Sequence, residues 1–595
     1  MNRKISNIGI VMPVLFVCMS VACNIDWKFL VLPNIAFAFL ILYKRKSIMF
    51  GYSTIALLCM LVSGIISMCT TLGDKQDAVH ELVMVLAFIL SFFCGKMINS
   101  KKTVKIILSL GFFIAVAGIL AYCNIIKINE FVFNDRGLTR LQSFMKYANT
   151  TALFLGCSYY AVLDEIQQND SVCLRNLGGC ILLAMFLTVS KAEIPLFLLI
   201  GTVLCLLTKK NIRLFVIQNF LCAVFAVMML MLVKQNRNSI AFMLAALCIF
   251  LAGKINFKNI ENDMILSCVW ISMLVLGVIG SIFLSNLFDY DIWATFFKRL
   301  EYINDAVKLL KNHWITGIGT GAWRVCQYQA QSTEYAVNYL HNGWLQFWLE
   351  NGIVFIVSFV WLFVVGLFNT IKQKQYTLSA ILILIMIHSF VDINFSFGII
   401  LITLGLLLGN VVEDTKISIP MRGICYIVVL ISLFFNLYLG YEIVLRSCFE
   451  KAYLNKQYDK AHSYVQRLER ICPYDSMLKV SAASLDSDSA KNNLEKAITL
   501  SPYDKDIFRN YISYLIANNY SDMSYKDLFD KYITLAPKQE KTYIDIKTLA
   551  KTACEKNLCS LQEYDEIISN TEKRRKEEHV IDRNELLNKL TGRKD

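Results

Sequence analysis

The chain has 595 residues, a formal net charge of +13, 56% hydrophobic residues and a mean hydropathy of +0.50. Soluble domains contain about 45–50% apolar residues, so this composition excludes an ordinary soluble protein. The basic residues separate hydrophobic runs, as the positive-inside rule requires of a membrane protein, so we expect no nucleic-acid partner despite the positive charge.

Hydrophobic runs long enough to cross a hydrocarbon core of about 30 Å fill residues 1–445, and residues 446–595 are polar. The first run follows Arg3 and Lys4 without a small-residue cleavage site, so we interpret it as a retained helix. We predict an all-α protein with a polytopic bundle of about 12–15 transmembrane helices and a C-terminal helical-repeat domain. The runs place about fifteen candidate helices near 5–23, 27–43, 48–70, 79–98, 104–126, 147–165, 174–190, 192–208, 213–233, 238–253, 264–286, 343–368, 376–391, 395–410 and 423–445.

The distribution of Lys and Arg predicts the orientation of the chain. With the N-terminus inside, basic clusters such as Lys44-Arg45-Lys46 and Lys209-Lys210 lie in inner loops, and the outer turn from Lys234 to Arg237 is an exception. Two longer outer segments result, at 127–146 and 287–342, and the second is the largest loop of the membrane part. An odd number of spans places the C-terminal domain outside as well.

Ionisable residues cluster at the outer ends of two predicted spans. Arg136, Arg140 and Lys146 precede the span at 147–165, and either form a cationic site for a lipid phosphate or extend as interfacial side chains to the membrane surface. Lys191 lies at a tight turn, where Glu193 either neutralises it or leaves it for a ligand.

The segment 287–342 contains an amphipathic pattern and a histidine. Apolar residues recur at helical spacing from Phe296 to Leu310, which predicts a helix on the membrane surface that carries Arg299 beside its apolar stripe. The glycines from 317 to 321 permit a sharp turn with exposed amides. Such amides can bind an anion, but a plain turn is the simpler interpretation. His341 precedes the next span and is either a general base or an interfacial residue beside Trp344.

The C-terminal 150 or so residues contain apolar helical stretches that end at prolines, as at Pro473, Pro502 and Pro537. The pattern resembles tetratricopeptide repeats, which stack and present a concave surface to a protein partner. A generic helical bundle is the alternative.

In their order along residues 100–410, these motifs resemble the O-antigen ligase and polymerase superfamily. The stretches that carry the resemblance are Arg140-Leu-Gln-Ser-Phe with Asn149, Thr188-Val-Ser-Lys191, Arg299 with Gly317-Ile-Gly-Thr-Gly321, His341-Asn before Leu345-Gln346 and Glu350-Asn-Gly352, and His388-Ser-Phe-Val-Asp392.

The resemblance implies an inverting, metal-independent transferase in the bacterial cytoplasmic (inner) membrane. Its donor would be a glycan on a polyprenyl diphosphate such as undecaprenyl diphosphate, and its acceptor a glycan, lipid or protein hydroxyl at the outer face. The 19 cysteines are scattered without metal-ligand spacing, and we expect no cofactor. The resemblance implies His341 and Arg299 as catalytic residues, Arg136, Arg140, Lys191 and Arg324 as diphosphate contacts, and Glu350, His388 and Asp392 as supporting residues.

One motif departs from the family, which often has Ser-Arg where this chain has Ser190-Lys191. Lysine keeps the charge but loses the bidentate fork. Asp392 and His388 are four residues apart, so we expect them to share a helix face. Two other functions remain open: a transporter of lipid-linked saccharides, which predicts charges near the bilayer midplane, and a membrane-anchored repeat scaffold, which predicts an inert membrane part.

Overall fold

The computed structural model describes residues 11–43, 51–135, 137–254, 292–413 and 422–578. Within these ranges the chain is almost entirely helical, as predicted. The predicted span at 264–286, the first residues of the span at 5–23 and the candidate ligand Arg136 lie outside the described residues.

The helices of the membrane part follow the hydrophobic runs closely. Among the described residues, six helices are long and apolar enough to cross a membrane, and seven shorter helices are also apolar. This confirms the prediction of a polytopic helical membrane protein. In chain order the helices are α1 (Val11–Val21), α2 (Lys28–Tyr43), α3 (Tyr52–Cys69), α4 (Lys75–Gly95), α5 (Ser100–Tyr122), α6 (Ala148–Gln168), α7 (Val172–Leu187), α8 (Glu193–Thr208), α9 (Ile212–Lys234), α10 (Asn238–Lys254), α11 (Ile292–His313), α12 (Trp323–Ala330), α13 (Gly343–Lys372), α14 (Tyr376–His388), α15 (Gly398–Val411) and α16 (Arg422–Leu454).

Helix α6 has 21 residues but is less apolar than the six long candidate spans. It packs against α5, α7, α8 and α14, and 16 of its residues are buried. Because other helices surround it, its polar side chains meet protein rather than lipid. Its centre contains Ser158, Tyr159 and Tyr160, whose hydroxyl groups all donate hydrogen bonds within the bundle.

A β-hairpin that was not predicted from the sequence precedes α6. Strands β1 (Val132–Asp135) and β2 (Leu138–Leu141) pair antiparallel, and a 3₁₀ turn follows at Ser143–Met145. Gly137 lies in the connecting turn with φ +84°, a conformation that favours glycine. The hairpin fixes the position of Arg140 on β2.

Helices α4 and α15 approach each other closely through glycines. Gly405 and Gly409 lie one turn apart on α15, and a Cβ atom on Gly409 would lie 2.0 Å from the carbonyl oxygen of Phe92. A Cβ atom on Gly95 of α4 would likewise lie 2.4 Å from the carbonyl oxygen of Leu406. Small residues at this spacing let two membrane helices pack backbone to backbone.

The C-terminal part consists of seven further helices, which pack each on the next along the chain. Three of them end two residues before Pro473, Pro502 and Pro537, as predicted. The pattern is that of stacked hairpins, and the tetratricopeptide-like assignment stays a prediction. These helices are α17 (Tyr458–Ile471), α18 (Ser476–Leu485), α19 (Ala490–Leu500), α20 (Lys505–Ala517), α21 (Tyr525–Leu535), α22 (Glu540–Glu555) and α23 (Leu561–Glu577).

The chain forms two compact units. The first contains Met1–Leu57, Leu86–Ile292 and Phe359–Phe434. The second contains Leu58–Val85, Trp293–Ser358 and Phe435–Asp595, so it unites most of the large segment that is predicted to lie outside, called below the outer segment, with the C-terminal helices. The predicted domain boundary at 445/446 falls within α16.

Candidate functional site

The two candidate catalytic residues lie in the second unit. Arg299 is half-buried on α11, and His341 is half-buried just before α13 begins. The ring centroid of Tyr302 on α11 lies 6.2 Å from that of His341, with 30° between the ring planes. Residues three apart face the same side of a helix, so Arg299 lies on the side of α11 that approaches His341.

His341 belongs to a stretch without regular secondary structure, residues 331–342, called here the histidine segment. Because such a stretch lacks a ladder of backbone hydrogen bonds, side chains must satisfy its buried amides and carbonyls. The Gln327 side chain accepts from the amide of Val337 at 3.0 Å and donates to its carbonyl at 2.7 Å. The Gln346 Oε1 atom accepts from the amide of Leu340 at 3.0 Å, directly before His341.

The predicted supporting residue Glu350 contacts this framework. It is buried on α13, and its Oε1 atom lies 3.4 Å from Nε2 of Gln346, the residue that holds Leu340. Glu350 is therefore placed to orient the Gln346 amide, so that Oε1 of Gln346 faces the backbone beside His341.

Asp305 holds the beginning of the histidine segment to α11. Its fully buried carboxylate accepts hydrogen bonds from the amide and hydroxyl of Ser332, at 2.8 and 2.6 Å, and from the Tyr335 hydroxyl at 2.9 Å. Lys308 Nζ lies 2.7 Å from the same carboxylate. Burial and the Asp305 charge raise the pKa of the Tyr335 phenol, so it stays protonated and continues to donate.

Arg324, a predicted diphosphate contact, is engaged by protein groups. Its Nη2 atom donates to Glu81 Oε1 at 2.7 Å and to the Tyr339 hydroxyl at 3.2 Å. Burial lowers the pKa of the guanidinium, but Glu81, Tyr339, Asp77 and Glu350 together outweigh burial and the pKa is raised. Arg324 therefore stays charged and holds Tyr339 in the histidine segment. Its contact with a phosphate stays a prediction.

The glycine turn at residues 317–321 does not present the exposed amides that the sequence suggested. The amide of Gly317 donates to the carbonyl of His313 at 2.8 Å, and that of Gly319 to the carbonyl of Glu350 at 3.3 Å. All three glycines have positive φ, which L side chains rarely adopt. The plain-turn interpretation therefore holds: the turn joins α11 to α12, and its amides bond to α11 and α13 rather than to an anion.

In the first unit, a buried polar network joins three of the predicted motifs. We call it the membrane cluster: Arg140, Tyr147, Asn149, Thr188, Glu193, His388, Asp392 and Asn394. Arg140 donates from Nε to the carbonyl of Thr188 at 3.0 Å and from Nη2 to Asn149 Oδ1 at 2.9 Å. Asn149 donates in turn to Asp392 Oδ2 at 2.6 Å, and the Tyr147 hydroxyl donates to Asp392 Oδ1 at 2.7 Å. Asn149 thus bridges a cation and a buried anion.

His388 and Asp392 do not share a helix face, contrary to the sequence prediction. Helix α14 ends at His388, and a turn follows, so Asp392 lies outside the helix. His388 Nδ1 lies 2.8 Å from Asn394 Nδ2, and His388 Nε2 lies 3.7 Å from Glu193 Oε2. The polar sequence after α14 ends the helix because its side chains bond into the bundle instead.

Lys191 and Glu193 lie in different environments. Lys191 is exposed at the turn between α7 and α8, whereas Glu193 is fully buried beside His388. The exposed position leaves Lys191 accessible to a ligand from solvent.

Several residues of these networks escaped the sequence analysis. Tyr147, Asn394 and Glu81 lie inside or at the ends of apolar runs, where a single polar residue carries little signal. Asp305 and Tyr335 gave no signal either, since their bond joins residues 30 apart. For the hairpin a signal existed: Asn134-Asp135 and Gly137 between two β-prone stretches are typical of a turn.

Among the described residues, no group of three or more His, Cys, Asp or Glu side chains is arranged to hold a metal ion.

Comparison with known families gives one result. The O-Antigen ligase family model matches residues 178–360, a range that includes Lys191, Arg299, Arg324, His341 and Glu350. The comparison with curated proteins finds no match. Residues 178–360 are therefore similar to the O-Antigen ligase family, in agreement with the resemblance that the order of motifs gave.

Proposed function

We propose that the protein is a glycosyltransferase that moves a glycan from a polyprenyl diphosphate to an acceptor hydroxyl at the outer face of the bacterial cytoplasmic membrane. The observation that carries the proposal is the ligase match over residues 178–360, within which Arg299 lies one turn before Tyr302 on α11 and the Tyr302 ring lies 6.2 Å from that of His341. The acceptor is a glycan, lipid or protein hydroxyl, as in a ligase or a polymerase.

The reaction needs a base and stabilisation of negative charge. The acceptor oxygen attacks the anomeric carbon, the bond from that carbon to the diphosphate oxygen breaks, and the acceptor proton passes to His341. A single displacement of this kind inverts the anomeric configuration. Arg299 stabilises the diphosphate as its charge develops, because guanidinium binds phosphate oxygens bidentately. In this proposal side chains neutralise the diphosphate and no metal takes part.

Three features favour His341 as the base. Its segment is fixed by Gln327, Gln346 and Asp305, so the imidazole is held in place rather than carried on a free loop. A histidine changes its charge near neutral pH and so both accepts and releases a proton there. A positioned base contributes about 10²–10⁴-fold to a rate.

The remaining predicted ligands contribute charge. Arg140 makes two hydrogen bonds to described residues, out of the five N–H groups of a guanidinium. Lys191 is exposed. We propose that Arg140 and Lys191 contact the diphosphate, together with Arg324 and Arg136. We further propose that His388 and Asp392 support Arg140 through Asn149 and its neighbours.

The test is glycan transfer by purified protein with its lipid-linked donor and a panel of acceptors. We expect His341→Ala and Arg299→Ala to lower kcat by about 100-fold or more. His313→Ala and Lys311→Ala, in the last turn of α11 and more than three turns from Arg299, are a histidine control and a basic-residue control and should retain activity. A chelator should leave the wild-type rate unchanged.

Three results would contradict the proposal. Full transfer by both site variants would remove His341 and Arg299 from the site. Loss of transfer with a chelator, restored by a divalent cation, would refute the metal-independent chemistry. Movement of the donor across vesicles without transfer to any acceptor would favour a transporter.

A further inference from the structure

The C-terminal helices contact the large outer segment at three points, all within the second unit. Gln539 donates from Nε2 to the carbonyl of Tyr335 at 3.1 Å. The Nζ atom of Lys505 lies 4.6 Å from the ring centroid of Tyr328 on α12, a cation–π contact. Tyr503 packs against the apolar cluster that contains Tyr302, Trp323 and Leu340.

These contacts are built into the fold rather than formed by mobile surface side chains. Gln539 is 8% exposed and immediately precedes α22, so the helix fixes its backbone. Lys505 is also 8% exposed and is the first residue of α20. A buried amide is costly unless it is bonded, so Gln539 needs its partner in the outer segment. Lys505 also pairs with Asp506 at 3.1 Å, so its contact with Tyr328 adds to an existing ion pair.

The Gln539 contact reaches the residue that connects α11 to the histidine segment. Tyr335 bonds to Asp305 through its hydroxyl and to Gln539 through its carbonyl, so it is held from both sides. Its ring centroid lies 4.5 Å from that of Tyr302, and the Tyr302 ring in turn lies beside His341. A series of direct contacts therefore runs from the C-terminal helices to the candidate base.

We propose that the C-terminal helices clamp the histidine segment, and that Gln539 is a positioning residue for His341 in acceptor activation. The proposal rests on the proposed function, in which His341 is the base. It gives the C-terminal helices a role in catalysis that requires no external partner.

The first test measures the clamp without reference to activity. Gln539→Leu removes the donor at similar side-chain length in the full-length protein. The matched control is Asn570→Leu, which removes a 2.6 Å bond to Asp530 between two C-terminal helices, away from the outer segment. We expect hydrogen exchange of the amides at 331–342 to accelerate about tenfold in Gln539→Leu and to stay unchanged in Asn570→Leu. Unchanged exchange in Gln539→Leu overturns the clamp.

The second test measures positioning. We expect Gln539→Leu to lower kcat about 5- to 10-fold while the Kd for the lipid-linked donor and the number of donor sites stay at wild-type values. A general loss of folded protein would lower the number of donor sites instead, which contradicts positioning. Tyr335→Phe should lower kcat as well, and the double variant should show less than the product of the two effects, because both act on one segment.

The two proposals fail in different ways. If His341→Ala abolishes transfer and Gln539→Leu accelerates exchange but keeps the wild-type kcat, the positioning role is wrong and the proposed function stands. If His341→Ala retains full transfer, the proposed function fails and the positioning role fails with it, whereas the exchange result still decides whether the clamp exists.

Discussion

Asn149 is a small residue with two partners of opposite character. Its carbonyl oxygen accepts from Arg140 and its amide donates to the buried carboxylate of Asp392. An amide is suited to this place because it is both donor and acceptor without a charge of its own. Aspartate would repel Asp392, and an apolar residue would remove one hydrogen bond from each neighbour.

We therefore predict that Asn149→Leu lowers the stability of the protein by about 1–3 kcal/mol, because it leaves a buried carboxylate with one donor fewer. The measurement is thermal unfolding in detergent. Asn219→Leu is the control, since buried Asn219 donates to the carbonyl of Phe215 on its own helix and to no other described residue. Equal destabilisation by the two changes would show that the bridge has no special importance.

Donor binding gives a second measurement on the same variant. If Arg140 contacts the diphosphate, loss of the Asn149 bond frees its guanidinium to move, and the Kd for the donor rises while Asn219→Leu leaves it unchanged. An unaltered Kd in Asn149→Leu would separate Arg140 from diphosphate binding.

At the scale of the helix, hydrophobic periodicity was a sufficient guide. The predicted run at 213–233 became α9 at Ile212–Lys234, and the loop helix predicted from Phe296 to Leu310 became α11. Long apolar runs have few alternatives in a membrane, because every backbone group must be bonded internally. Phe296 and Leu300 on α11 are exposed, and the contact of this helix with the membrane surface stays a prediction.

Irregular stretches were harder to predict, for a physical reason. The conformation of the histidine segment depends on bonds to side chains from other elements, such as Gln327 and Gln539. The Gln539 bond joins residues 204 apart, and no local pattern encodes it. The end of α14 before Asp392 depends in the same way on partners in α6.

The glycines of α15 allow a prediction about helix packing. A Cβ on Gly409 would lie 2.0 Å from the carbonyl oxygen of Phe92, which is backbone and cannot turn aside. We expect Gly409→Ala to destabilise the protein by about 1–3 kcal/mol through overpacking. Gly64→Ala on α3 is the control, because its nearest neighbour would be the Leu82 side chain at an ordinary 3.4 Å.

The Gly64→Ala control should leave the free energy of unfolding unchanged or raise it by up to about 1 kcal/mol, since alanine is a better helix former than glycine. Thermal unfolding of both variants in the same detergent gives the comparison. A stable Gly409→Ala protein would mean that α4 and α15 are able to separate without loss.

At the scale of the whole molecule, the second unit unites segments that are far apart in the chain. Residues 58–85 and 435–595 share one network, in which Glu442 on α16 accepts from His80 at 2.8 Å and from Gln76 at 3.1 Å. Arg446, one turn later, pairs with Asp475 before α18. Residues 293–358 join the same unit through bonds such as that of Arg324 to Glu81. The sequence divided the chain between membrane and soluble parts, and composition carries no information on such tertiary pairing.

The predicted orientation of the chain follows from charge and can be tested directly. Basic residues are concentrated in turns such as Lys209-Lys210 and Lys372 with Lys374, which the positive-inside rule places in the cytoplasm. We predict that an epitope inserted between Ser487 and Asp488, an exposed turn after α18, is labelled by antibody on intact spheroplasts. An epitope after Gln373, also at an exposed turn, should be labelled only after permeabilisation. Labelling of both epitopes on intact cells would require a different number of spans between them. The opposite labelling pattern would invert the orientation and place the C-terminal helices in the cytoplasm. A donor at the outer face could then not reach the histidine segment that these helices hold.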